Sequence, residues 1–86
     1  MMRVDLIVIA RILDALYSEG RMKKTHLQMA SRLNYPAFTR YLGWLEEKGL
    51  LRVVEGDDGE YVELTQKGRE SYERVVVWLK EYVGKL

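Results

Sequence analysis

The 86-residue chain has no cysteine, a single proline and a single histidine, and each scarcity closes off a class of protein. Without cysteine there is neither a disulfide framework nor a thiolate metal site, and His26 alone cannot supply the spaced ligands a metal ion needs. Ser18, Ser31 and Ser71 stand in no nucleophile motif with that histidine, and no glycine-rich phosphate loop occurs. The sequence therefore predicts a protein that is not an enzyme and carries no metal or cofactor. The longest apolar runs, Leu6–Ala10 and Val75–Leu79, are far too short to cross a bilayer, and the N-terminus lacks a signal-peptide cleavage pattern. The expected setting is cytoplasmic.

Acid is also missing, but only in one place. Between Gly20 and Leu45, 26 residues carry Arg21, Lys23, Lys24, Arg32 and Arg40 with no aspartate or glutamate. From Glu46 onward there are ten carboxylates against seven cations, so the net charge of +1 conceals an asymmetry. The central block reads as an electropositive surface suited to polyanions. What the chain has in quantity is apolar and charged residues, 48% and 31%, a composition that folds as one domain. A chain this short buries only about 60–65% of its unfolded surface. Association with a second copy is the expected aid to stability.

Leu6, Ile9, Leu13, Leu16 and Tyr17 recur at helical spacing up to Gly20, predicting a first helix over Val4–Glu19. Ile7, Val8 and Ile12 fall off that stripe and leave two readings: burial on all sides within one domain, or contact with a partner chain. Thr25 and Gln28 match a capping box, opening a second helix that reaches Leu33. Asn34 is an N-cap for a third helix with Pro36 in its first turn, burying Phe38, Leu42 and Leu45 and ending near Lys48 at Gly49. So short a gap between the second and third helices makes them a helix-turn-helix. Leu50–Glu55 and Glu60–Leu64, parted by Gly56-Asp57-Asp58-Gly59, read as a β-hairpin.

Past Thr65, another N-cap, the apolar residues Tyr72, Val75, Val76, Leu79, Tyr82, Val83 and Leu86 repeat at helical spacing and predict a last helix. With Trp78 included, their stripe is wider than a strict coiled-coil seam. One side can cover the core and the other a partner helix. The expected class is α+β, mostly α: a winged helix-turn-helix head over residues 1–64 and a C-terminal helix over 65–86, part of the same fold unit, expected to make a homodimer, the other reading being a monomer whose last helix only caps the core.

The segment Tyr41-Leu42-Gly43-Trp44-Leu45-Glu46-Glu47-Lys48-Gly49-Leu50-Leu51 resembles the end of the recognition helix and the approach to the wing in winged-helix regulators. Thr65-Gln66-Lys67-Gly68-Arg69 is similar to the step from their second wing strand into the last helix. Lys24-Thr25, Leu33-Asn34-Tyr35 and Arg40-Tyr41-Leu42 resemble, more narrowly, a family of small archaeal winged-helix DNA-binding proteins. That resemblance covers nearly the whole chain. It implies a nucleoid-associated, transcription-regulator-like homodimer, paired through its C-terminal helices as an antiparallel coiled coil. Two features depart from the pattern. Gly43 and Trp44 stand mid-helix where small polar or charged residues are commoner, and the wing tip carries Asp57, Asp58 and Glu60, which phosphates repel.

With Phe38, Leu42 and Leu45 inward, the third helix would turn Ala37, Thr39, Arg40, Gly43, Trp44 and Glu47 outward. In a major groove Arg40 could take guanine in a bidentate contact, Thr39 a phosphate or base edge, and Ala37 and Gly43 would allow close approach. Trp44 has two readings, a ring along the sugar-phosphate or thymine methyls and a ring folded onto the domain or a partner. Lys23, Lys24 and Thr25 at the start of the second helix can bind phosphate, or the lysines are simply solvated. Arg21, Arg32 and Tyr35 complete the expected DNA-contacting set. Tyr72, Val75, Val76, Trp78, Leu79, Tyr82, Val83 and Leu86 form the expected dimer seam. A protein-interaction module that has abandoned DNA, and an architectural nucleoid protein, are the alternative functions.

Overall fold

The computed structural model describes residues 3–83. Helix α1 spans Leu6–Glu19; Asp5 caps it by accepting the Ile7 amide at 2.9 Å, and Gly20, at φ +84°, ends it. Its buried stripe is Ile9, Ile12, Leu13 and Leu16. Ile12, off the expected stripe, is fully buried, whereas Leu6, on it, is 78% exposed beside Ile7 at 68%. The helix is thus buried nearly all round in its middle and bare at its first turn.

A two-residue strand β1, Met22–Lys23, comes next and was not expected. Helix α2, Lys24–Ser31, follows directly, so the proposed capping box is corrected: Lys23 is the N-cap position and no side chain caps it. The chain there is already committed to sheet pairing, which leaves Thr25 inside the first turn. Gln28 instead reaches forward to the Leu33 carbonyl at 3.3 Å. The helix also ends earlier than expected, with Arg32 left-handed at φ 58°. Helix α3, Tyr35–Glu47, begins as expected: the Asn34 side chain accepts the Ala37 amide at 2.9 Å. Phe38, Tyr41, Leu42 and Leu45 form its buried face.

Strands β2, Leu51–Gly56, and β3, Gly59–Leu64, pair antiparallel around Asp57-Asp58. The sheet order is β1-β3-β2, so β3 is central and β1 lies against it in the register Met22↔Val62 and Lys23↔Tyr61. Met22, Leu51, Val62 and Leu64 put one face of the sheet into the core with α1 and α3. Burying a side chain of this size contributes about 1.5–3 kcal/mol, so the hairpin is anchored by its inner face, while its outer face carries the Arg52 and Glu63 pair beside half-buried Val54 and Tyr61.

Helix α4, Gln66–Tyr72, is capped by Thr65, which accepts the Gly68 amide at 3.0 Å and donates to the Gly49 carbonyl at 2.6 Å. A β-carbon at Gly68 would overlap the Leu50 carbonyl oxygen. The Gly49-Leu50 and Thr65–Gly68 motifs therefore touch one another and set how the wing leaves the helices. A π-helical turn, Glu73–Val77, leads into α5, Trp78–Val83. That turn interrupts the expected regular heptad-like spacing. Tyr72 stacks on Tyr17 of α1 at 4.3 Å and its hydroxyl donates to Asp14, while Lys80 reaches the same carboxylate at 3.1 Å. The C-terminal helix is fastened to α1 by this cluster and by Val76.

Candidate nucleic-acid interface

Helix α3 presents an exposed face because its apolar residues fall three or four apart and turn one side to the core. Thr39 and Arg40 are exposed, and Gly43 has open space where a side chain would stand. Tyr35 is 60% exposed at the first turn, and Ala37 is half-buried. Trp44 is half-buried and packs on the core, with the Lys48 ammonium 5.6 Å from its ring centroid. Its ring is folded onto the domain, the second of the two readings. Arg40 and Arg32 make no ion pair among the described residues.

The start of α2 is different. Arg21 pairs with Glu63 at 3.0 Å, Lys23 with Asp58 at 3.4 Å and Lys24 with Glu60 at 3.1 Å. Glu63 also takes Arg52 of β2 at 2.7 Å. The expectation of an uncompensated cationic strip is therefore corrected for Arg21, Lys23 and Lys24. Their carboxylates come from the wing, 42 residues on in the chain for Arg21 and 36 for Lys24, carried there by the β1–β3 pairing. Thr25 and His26 lie exposed beside them, in the first turn of α2.

The wing carboxylates bear the mark of these contacts. The Glu63 carboxyl is held below the ordinary glutamate range, first by the Arg52 hydrogen bond and then by that of Arg21. Asp58 is lowered too, first by the Tyr61 hydroxyl and then by Lys23. Asp58, Glu60, Glu63 and Arg52 are absent from the sequence-derived set. The signal for them was faint: Arg21-Met22-Lys23 alternates in polarity as Tyr61-Val62-Glu63 does, over a stretch too short to stand out.

The expected dimer seam divides. Tyr72 and Val76 are 3% and 6% exposed within one chain, so the tertiary core claims them and they leave the seam. Val75, Trp78 and Tyr82 are exposed, with Trp78 and Tyr82 rings 4.8 Å apart, and Leu79 is half-buried. Leu79 lines a groove with Leu6, Ile7 and Ala10 of α1. Val83 ends α5, and Leu86 lies outside the described residues. Among the described residues no helix is long and apolar enough to cross a membrane, and no cluster of side chains could hold a metal ion.

A three-helix head with its third helix laid open, a two-stranded wing and a trailing helix define a winged helix-turn-helix. The chain belongs to the winged helix-turn-helix family, whose model matches residues 2–81. That family is a DNA-binding, transcription-regulator fold and not an enzyme family. Among solved structures, a MarR-family transcriptional regulator from Silicibacter pomeroyi is similar at 26% identity and a TM-score of 0.76, over 90% of this chain and 56% of that one. NadR in complex with 4-hydroxyphenylacetate is similar at 23% identity and a TM-score of 0.81, over 88% of this chain and 56% of that one. A winged-helix DNA-binding protein from STIV is similar at 22% identity and a TM-score of 0.73, over 96% of this chain and 95% of that one. This chain thus spans little more than half the length of the two regulators. No curated protein matches it.

Proposed function

We propose that this protein binds duplex DNA as a homodimer and acts as a transcriptional regulator, with α3 in the major groove. The observation that carries the reading is the open face of α3, where Thr39 and Arg40 stand beside an unfilled Gly43 and no carboxylate among the described residues engages the arginine. Arg40 reads guanine, Thr39 and Tyr35 contact backbone or base edges, and Ala37 and Gly43 permit close approach. Arg32 neutralises phosphate from the end of α2. Arg21, Lys23, Lys24 and Thr25 join only where phosphate replaces the wing carboxylates. Trp44 serves as a packed support for this face. The regulators and the STIV DNA-binding protein to which the chain is similar point the same way.

Dimerisation uses Val75, Trp78, Leu79, Tyr82, Val83 and Leu86, joined by Leu6 and Ile7. Leu6, Ile7, Val75, Trp78 and Tyr82 are all exposed, and so many large apolar side chains on one small chain favour a second copy as their cover. A salt titration of duplex binding, combined with sedimentation equilibrium, tests both parts. The expected result is a dimer whose affinity falls steeply with salt. Absence of binding at every salt concentration would favour a protein-docking use of α3 instead, the reading that the compensated cations of α2 support.

A further inference from the structure

The register of the small sheet continues past its paired residues. Met22↔Val62 and Lys23↔Tyr61 place Arg21 opposite Glu63 on one side and Lys24 opposite Glu60 on the other. Arg52 is opposite Glu63 across the second ladder, so Glu63 stands between two arginines. The contacts are partly solvated: the Lys24 side chain is 27% exposed and that of Glu60 44%, so an incoming phosphate can reach the ammonium. We infer that the wing is a built-in phosphate mimic, whose Asp58, Glu60 and Glu63 occupy the cations at the start of α2 and compete with the DNA backbone for them. The inference rests on the DNA-binding reading above.

The physical reason lies in ion release. A free lysine meeting a phosphate expels one condensed counterion, which contributes about 0.9 to the slope of log affinity against log salt. A lysine already paired with a carboxylate gives no such net release, because the freed carboxylate recruits a cation and stands near the duplex phosphates. The wing therefore lowers both the affinity and its salt dependence, leaving recognition to α3. Two carboxylates at the tip separate this from a general charge effect. Asp57 and Asp58 are neighbours in the same turn, yet Asp57 makes no ion pair among the described residues.

The test is fluorescence anisotropy of the full chain on a labelled mixed-sequence duplex over a range of sodium chloride concentrations. Glu60→Gln should tighten binding about twofold to fivefold, the worth of one exposed ion pair, and steepen the slope by nearly one unit. Asp58→Asn/Glu60→Gln/Glu63→Gln should tighten it about tenfold or more. Adding Lys24→Gln to Glu60→Gln should erase the gain. Asp57→Asn, which changes net charge by the same amount as Glu60→Gln, should give less than half its effect. Equal effects of Asp57→Asn and Glu60→Gln would overturn the inference, as would unchanged slopes in variants of a protein that does bind. If neither the wild type nor the variants bind at any salt, the DNA-binding reading falls as well. Because Glu63 braces two strands, the single Glu60→Gln variant carries the test should the triple variant fail to fold, which circular dichroism reports.

Discussion

The two helices of the helix-turn-helix begin in opposite ways. Helix α3 starts on a capping side chain, Asn34, and leaves Arg40 on its outer face without an ion pair among the described residues. Helix α2 starts with no side-chain cap, directly from a strand, and the cations around its first residue are each held by a wing carboxylate. Both starts lie in the same acid-free stretch of sequence and look alike there. What separates them is the sheet, which carries acid to one and not to the other. A run of cations in sequence is thus a statement about composition, and its electrostatic meaning depends on what the fold brings opposite.

The largest expected effect is at Arg40. Arg40→Ala should weaken binding to a preferred duplex by about tenfold or more, from about 1–3 kcal/mol for a bidentate base contact, and relax sequence preference. Its melting temperature should not move, since Arg40 has no ion pair to lose among the described residues. Lys24→Ala should do the reverse on both measures, with a small loss of stability and a small change in affinity. Equal losses of affinity from the two variants would erase the contrast.

Stability should separate the same two starts. Asn34→Ala removes a cap and should cost about 1 kcal/mol in chemical denaturation. Thr25→Ala, at the position where the sequence suggested a cap, should stay within about 0.5 kcal/mol of wild type. Gly43→Ala sharpens the distinction between binding and folding. The added methyl meets no atom within 4 Å and should stabilise α3 by about 0.5–1 kcal/mol, yet it should weaken duplex binding if the backbone there approaches DNA.

The smallest effect is a pH dependence. The Glu63 carboxyl is lowered in the folded chain by Arg52 and then Arg21, so its stabilising contribution is present above the ordinary glutamate range. It is lost as pH falls below about 4.3 and through the folded value. Thermal melts of Glu63→Gln should therefore show a shallower acid limb than wild type. With the pair partly solvated, the difference at neutral pH should be no more than about 1 kcal/mol.

Much of the fold is legible from local rules. Gly20 and Gly49 end helices, Asn34 and Thr65 begin them, and the Asp57-Asp58 turn closes the hairpin, because each feature depends on a few consecutive residues. The outer face of α3 was legible for the same reason: its inner face repeats at helical spacing. Strand β1 was not, since two residues carry no periodicity, and with it went the false cap at Thr25. Tyr72 and Val76 repeat with the residues of the expected seam, yet the π-helical turn and the stack on Tyr17 draw them into the core. Periodicity identifies an apolar face without saying which surface covers it.

The amino-acid order alone determined the succession of helices and hairpin and the inward face of α3. Those follow from steric and hydrogen-bonding preferences that act within a turn or two of chain. Tertiary structure alone decided which cations stand free, because Coulomb energy depends on distance in space. In this chain the carboxylates that matter are carried to the start of α2 by strand pairing between segments far apart in sequence.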